Sequence, residues 1–410
     1  MRTSEHKNIL LLTPVYPGSD VHKSTTPVVH YFTREWVKMG HNVKVVHYPV
    51  NFSQFVYFLA KPFKEKIGTI MGSEVRTWAL EESEYDWENI HVKRIPMTKF
   101  RPHCRYSKRQ IDSAVKKTIA YCRNSSFVPD VIIAHWVNPT FEIMHHLKKY
   151  FNVPTCFISH DTGTDLDSIY RNEAAEYISE TDVIGYRSDY IRKSFESKFA
   201  CADKKNFLCS SGIPASYLKD EERNISDVRN FVFVGTLLKR KYPAEIIPAV
   251  YKAYGSDDFS INYIGVGEET KNVEKYATQF GIQDKVRLLG FLKRDDVVKE
   301  LDKNEVFVMI SKNETFGLVY LEAMARGCIT IAARKEGFDG IIKDGENGFL
   351  CEAGNVNELA SIIKRLRNMT SDELNMISYN ARKTAENLTD VKAAATYMSN
   401  IEKYCFNANN

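Results

Sequence analysis

The sequence predicts an α/β protein built of two doubly wound, Rossmann-like domains in tandem. Three observations predict it. Short, nearly all-apolar runs of strand length alternate with helix-period segments almost from end to end, the pattern of parallel sheets covered on both faces. The alternation breaks once, over the polar stretch SGIPASYLKDEERNISDVRN from Ser211 to Asn230, and then restarts. The chain has 410 residues, about twice the usual single-domain length.

The first half supplies strands at NILLLT (Asn8–Thr13), VKVVHY (Val43–Tyr48), HVKRIP, DVIIAH (Asp130–His135), TCFISH (Thr155–His160), DVIGY (Asp182–Tyr186) and NFLCS. Helical stretches follow most of them, such as HYFTREWVKMG, which stops at Gly40. The break carries Pro214 and has no apolar period, so it reads as an interdomain linker. Beyond it come FVFVG, FSINYIG, KVRLLG, VFVMIS, ITIAA and GFLCE, each separated by helix, and the chain closes on helices from Val356 to Tyr404. The expected domains are 1–215 and 216–390, with 391–410 a helix returning to the N-terminal domain.

Composition narrows the function classes. Hydrophobic residues make up 43% and charged residues 26%, enough for two cores without metals or disulfides. A net charge of +4 is too mild for nucleic acid, though compatible with anionic small ligands or an anionic membrane surface. Eight cysteines are scattered with no C-x-x-C, which reads as small buried hydrophobes in a reducing compartment and argues against a zinc site. MRTSEHKNILLLTP lacks a signal-peptide core and no window reaches about 20 apolar residues, so the expected location is the cytoplasm.

In such folds ligands bind beyond the carboxyl ends of the strands. After VFVMIS the chain reads SKNETFGLVYLEAMARG, with Glu314 and Glu322 eight positions apart. With Thr315-Phe316-Gly317-Leu318 as a first helical turn, free amides and the dipole make an anion site. At 1.5 Å per residue Glu322 then lies about 12 Å along the axis. A diphosphate at the helix tip would leave a polyol for each carboxylate, as in a nucleotide sugar. Read alone, Glu314 is more simply an acid complementing the dipole and Glu322 a solvated helix residue, since short motifs match by chance. Glu322, however, lies among Leu, Ala and Met, where a charge needs a partner.

The pattern E-x-F-G-x-x-x-x-E-A-M-A-x-G, a β-branched strand and GFDGIIKDGENGFLCE resemble the C-terminal domain of retaining glycosyltransferases of family 4, whose fold is GT-B. FVFVGTLLKRKYP, INYIGVGEE, KVRLLGFLKRDDV and SSGIPASYL extend the resemblance; LLTPVYPG, KMGHNVKVV, DVIIAHW and FISHDTGTD carry it more loosely into the first half. It implies two domains facing across a cleft, acceptor on the first and donor on the second, with no metal or other cofactor. It implies Glu314 on the transferred sugar, Glu322 on the ribose, and the amides of Phe316, Gly317 and Leu318 by sugar and diphosphate. It implies Lys241 against the diphosphate, His160 near the donor sugar, and Phe291 and Leu292 holding the base. A cation against a leaving diphosphate is sound chemistry, although Lys241 by itself reads as a solvated helix-start lysine. His160, beside Asp161 at a strand carboxyl end, reads as either structural or functional, and His135 is a weaker candidate of the same kind.

Two departures stand out. Where the family often has arginine after the glycine of F-V-G, here Gly235, this chain has Thr236, which shifts diphosphate contact to Lys239 or Arg240. The family's Gly-Gly pair is absent from GSDVHKSTTP, Gly18 to Pro27, so that either Ser24, Thr25 or Thr26 serves in its place or the acceptor side is built differently. GVGEE, from Gly265, has Thr270 where a dinucleotide motif needs its third glycine, and Asp295-Asp296 is simplest as a helix-start charge pair. NFSQFVYFLAKPFKEKIGTIMG, Asn51 to Gly72, interleaves aromatics with Lys61, Lys64 and Lys66. It suits an anionic membrane interface at the inner face, or a loop packing on its own domain, and Pro62 interrupts any single helix.

The expectation is a metal-independent retaining glycosyltransferase taking a nucleotide-diphosphate sugar to a saccharide or lipid-linked acceptor. No side chain stands out as a covalent nucleophile. The alternatives are a nucleotide-sugar epimerase, which needs further acid/base residues, and a non-catalytic sugar- or lipid-binding relative. A tandem oxidoreductase is disfavoured by the broken glycine motif.

Overall fold

The computed structural model describes residues 6–20, 27–64, 76–99, 104–219 and 221–407. Ser24, Thr25, Thr26 and the 65–72 part of the aromatic segment lie outside them. Two compact units divide at Ser210/Ser211 and again at Thr389/Asp390.

The first unit holds an eight-stranded sheet in the order Asn206–Leu208, Val183–Tyr186, Thr155–Ser159, Val131–His135, Asn8–Thr13, Asn42–His47, Ile90–Arg94, Ser83–Trp87. All neighbours run parallel except the last pair. The central strand explains the apolar runs: Ile9, Leu10, Leu11 and Leu12 are fully buried, with Leu11 in register with Val45 on one side and Ile133 on the other. The edge strand Ser83–Trp87 was illegible because it is only half-buried and alternates with exposed positions. It is turned by Glu88 and Asn89, both at positive φ, the geometry a tight hairpin demands.

Helix Val28–Lys38 covers the sheet with Val29, Phe32 and Trp36. The helix Asp390–Ile401 packs on it within this unit: Trp36 Nε1 donates to the Ala394 carbonyl at 3.0 Å, and the Tyr397 ring lies 4.9 Å from Trp36 and 5.2 Å from Phe32.

The second unit is a six-stranded, wholly parallel sheet in the order Val286–Leu288, Ser260–Ile264, Asn230–Val234, Val306–Met309, Ile329–Ala333, Phe349–Cys351. Its strand order reverses between Asn230–Val234 and Val306–Met309, the switch point at which open α/β sheets form a crevice. The polar stretch after Ser211 is no free-standing linker, since Ile213, Ile225 and Val228 are buried in this unit's core. Three apolar residues at irregular spacing carry no periodic signal, yet they anchor it. The closing helices Val356–Arg367 and Ser371–Glu386 start at Asn355 and Thr370, whose side chains accept first-turn amides.

Candidate functional site

Two loops flank the switch point of the second unit, one after each central strand. The first, Gly235 to Lys241, ends in a 3-10 turn over Lys239–Lys241. Gly235 sits at φ 147°, and a Cβ there would lie 2.9 Å from Lys241 Nζ. The glycine therefore makes room for the ammonium to fold back against the strand end. Burial holds Lys241 below the usual lysine range, opposed by the attraction of Glu314. Lys241 is thus not the solvated surface lysine that one reading expected. Thr236 is half-buried beside it, and Arg240 is exposed.

The second loop, Ser311 to Gly317, carries Glu314. Its geometry corrects the helix expected there. The helix runs Leu318–Ala325, so Thr315, Phe316 and Gly317 precede it rather than form its first turn. Gly317, at φ 78°, is the N-cap, and a Cβ on it would meet the Tyr320 ring at 2.4 Å. Glu322 falls in the second turn, and with only part of the interval helical the 12 Å spacing does not apply. The first helical amides, Leu318 and Val319, remain without intrahelical acceptors, as at any helix start. Phe316 serves packing: it is buried with its ring 5.7 Å from Phe338, which stacks on Tyr320 at 4.9 Å.

Glu314 is gripped through its backbone, leaving its carboxylate under-used. Its amide donates to Glu336 Oε2 at 2.8 Å, and its carbonyl accepts from Gly337 N at 2.8 Å. Arg240 donates to the carbonyls of Lys312 and Asn313 at 3.4 and 3.3 Å and lies 3.6 Å from Glu314 Oε2. That oxygen is buried without a hydrogen-bond partner, which costs free energy until a donor arrives. Burial pushes the Glu336 carboxyl above the usual carboxylate range, against the lowering effect of the Glu314 and Asn313 amides.

Glu322 has its partner. It is buried, and Arg294 Nε and Nη2 both donate to its Oε1, at 3.0 and 2.6 Å, while the guanidinium lies 5.0 Å from the Tyr217 ring centre. The solvated-helix reading of Glu322 therefore fails, since a buried carboxylate needs such a cation. Arg294 opens the helix Arg294–Leu301, just after Phe291, which is 77% exposed, and Leu292, half-buried on the core. Asp295 and Asp296 are that helix's first-turn acids, and Asp296 pairs with Lys299 at 2.9 Å. Among the described residues no group of three or more His, Cys, Asp or Glu is placed to hold a metal ion.

Lys241, Arg240, Glu314 and the Leu318 helix tip thus gather at one crevice, with Glu336 behind them. Glu336 and Arg294 went unnoticed in the sequence, although both come just after strand ends, those of Ile329–Ala333 and Val286–Leu288. The glycines of GVGEE pack on the first loop instead of framing a nucleotide site: a Cβ on Gly265 would lie 2.1 Å from the Gly235 carbonyl oxygen.

His160 belongs to the first unit. Its Nε2 is 3.0 Å from His135 Nδ1, one ring donating to the other, and its ring stacks on Trp136 at 3.9 Å and 11°. His135 is fully buried and reaches the Tyr397 hydroxyl at 3.3 Å. Burial holds both imidazoles well below the usual histidine range, helped by Arg187 in both cases and by His135 in the case of His160.

Together these features define a class. Two Rossmann-like units in tandem, each built on a mostly or wholly parallel sheet, make a GT-B glycosyltransferase fold. Sucrose-phosphate synthase from Thermosynechococcus elongatus matches it with a TM-score of 0.70 and 17% identity, over 98% of this chain and 100% of that one. HepE of Anabaena, solved in complex with UDP and glucose, matches with a TM-score of 0.64 and 17% identity over 97% and 100%. In sequence, residues 217–384 match the family of group 1 glycosyl transferases, a stretch lying wholly within the second unit. The lipopolysaccharide core biosynthesis glycosyltransferase LpsE of Rhizobium meliloti is 34% identical over 32% of this chain, and the match spans 38% of LpsE.

Proposed function

We propose that the protein is a retaining, metal-independent glycosyltransferase of family 4, moving a sugar from a nucleotide-diphosphate sugar to a saccharide or lipid-linked acceptor. One observation carries it: Glu314 presents a buried carboxylate oxygen with no hydrogen-bond partner, beside the half-buried Lys241 and an exposed guanidinium at the switch-point crevice. A sugar hydroxyl supplies the missing donor, and a diphosphate supplies the anion for Lys241, Arg240 and the Leu318 helix tip. The UDP and glucose in HepE support a nucleotide-sugar donor.

In this reading Lys241 and the helix tip lower the barrier by stabilising charge on the departing diphosphate. No enzyme nucleophile is used. The acceptor attacks on the face the diphosphate leaves, and the diphosphate takes the acceptor proton. Glu322, oriented by Arg294, holds the ribose; Phe291 and Leu292 border the base; His160 is the first unit's residue that serves the donor sugar. No cofactor beyond the donor is needed. The protein works in the cytoplasm, at the inner face of the membrane.

The test is nucleotide release measured with and without acceptor across uridine, guanosine and adenosine diphosphate sugars. Glu314→Ala should abolish acceptor-dependent release, whereas Glu322→Ala should mainly weaken nucleotide binding. Full turnover by both variants would overturn the assignment, and acceptor-independent conversion of the donor would favour an epimerase.

A further inference from the structure

The helix Gln54–Ala60 and the 3-10 turn Lys61–Phe63 display an apolar surface that the described residues leave uncovered. Phe55 is 68% exposed, Phe58 74%, Leu59 52% and Phe63 59%, with Val56 beside them at 38%. These are five of the 14 exposed large apolar side chains among the described residues, and they fall within nine consecutive positions. Positions 55, 58 and 59 share one helix face. Scattered exposed apolar residues need no explanation, but a contiguous patch does.

The element is built to present this face. Ser53 caps the helix by accepting from Val56 N at 3.4 Å. Tyr57, on the opposite side, is buried, and its hydroxyl accepts from Phe52 N at 3.0 Å and from Arg76 Nη2 at 3.3 Å. One aromatic therefore anchors the helix while the others point outward. The helix is rooted in the strand Val50–Phe52, which pairs in parallel with Met97–Lys99 beyond the carboxyl ends of Asn42–His47 and Ile90–Arg94.

Charge selects the occupant. From Asn51 to Lys64 the sequence contains no acidic residue, and Lys61 and Lys64 come directly after the apolar face. An apolar face that carries Lys61 and Lys64 around Phe63 at its C-terminal end matches an anionic bilayer, with rings among the acyl chains and ammonium groups on the phosphates. The helix Gln54–Ala60 has seven residues, far short of the roughly 20 needed to cross a bilayer, so contact through it is in the plane of the interface. We propose that residues 54–64 form an interfacial docking surface for anionic lipid bilayers. It brings the first unit to a membrane whether or not the second unit transfers sugar.

The experiment is flotation of the full-length protein with vesicles of phosphatidylcholine alone or mixed with phosphatidylglycerol, at low and high salt. The wild type should bind the mixed vesicles, and binding should fall with salt and on the neutral vesicles. Phe55→Ser with Phe58→Ser should lower partitioning at least about tenfold, from the apolar area withdrawn. Lys61→Glu with Lys64→Glu should remove the preference for anionic lipid. All the altered side chains but Lys64 are exposed, so thermal unfolding and nucleotide-diphosphate affinity should stay as in the wild type; that affinity reports on the transferase reading separately. Equal partitioning of wild type and the double serine variant overturns the proposal. So does sedimentation showing a dimer that the serine variant dissociates without any vesicle binding, since the face would then belong to a second copy.

Discussion

The Arg294–Glu322 pair gives the sharpest energetic test of the site. Glu322 is 7% exposed, and one of its oxygens takes both guanidinium donors, at 3.0 and 2.6 Å. Replacing Arg294 by Met keeps an apolar stem near Tyr217 but removes the cation. Breaking a fully buried pair from one side costs about 3–5 kcal/mol. The Arg294 side chain is 31% exposed, so solvent screening reduces the expectation to about 2 kcal/mol. Glu322→Gln removes the charge yet keeps an acceptor, for about 1 kcal/mol. Once Glu322 is neutral Arg294 has less to hold, so the double variant should fall short of the sum by about 1–2 kcal/mol. Urea denaturation of the four proteins measures the cycle, and calorimetric titration with nucleoside diphosphate measures its functional counterpart. Each single variant should weaken binding several-fold, with the same lack of additivity. Additive losses within about 0.3 kcal/mol would refute the claim that Arg294 orients Glu322.

The same crevice carries three further expected outcomes. Gly317→Ala forces a side chain into positive φ and onto the Tyr320 ring at 2.4 Å, so it should destabilise by at least about 1–2 kcal/mol in thermal melts and depress kcat more than KM. Glu336→Ala removes the acceptor of the Glu314 amide and should lower kcat about tenfold or more, with Glu336→Gln restoring most of it; equal loss in both variants would show that the hydrogen bond does not matter. Because burial lowers the Lys241 pKa, diphosphate affinity should start to fall with rising pH below the usual lysine range. The stability cost of the buried cation is relieved across that window, so stability rises while affinity falls, and Lys241→Met should flatten both profiles.

The parallel strands were legible because central strands in a covered sheet are apolar at nearly every position, as Ile9 to Leu12 and Val306 to Met309 are. The edge strand Ser83–Trp87 and the short pair Val50–Phe52 and Met97–Lys99 were not, since three to five half-buried residues leave too short a pattern. In the site, Glu314 and Lys241 were legible because each lies a few residues past the carboxyl end of an apolar strand, Val306–Met309 and Asn230–Val234. The helix start was misplaced because its position depends on distant chain: a Cβ on Gly337 would lie 2.4 Å from the Glu314 and Thr315 backbone, so the 336–337 segment is clamped on the loop. That contact holds Thr315 to Gly317 out of the helix, and local propensity carries no trace of it.

The two glutamates so close in sequence meet opposite fates, and the difference bears on which of them acts. Glu322 sits on a helix facing Arg294, its charge compensated before any ligand arrives. Glu314 is held by backbone contacts, with its nearest guanidinium 3.6 Å away, beyond hydrogen-bond reach. A compensated carboxylate can add a ligand hydroxyl without changing its electrostatic state. Glu314, though it has cations nearby, gains the hydrogen bond it lacks, and it does so beside the half-buried Lys241. A single ligand carrying both hydroxyl and phosphate groups, as the proposed donor does, would meet both features of the crevice together.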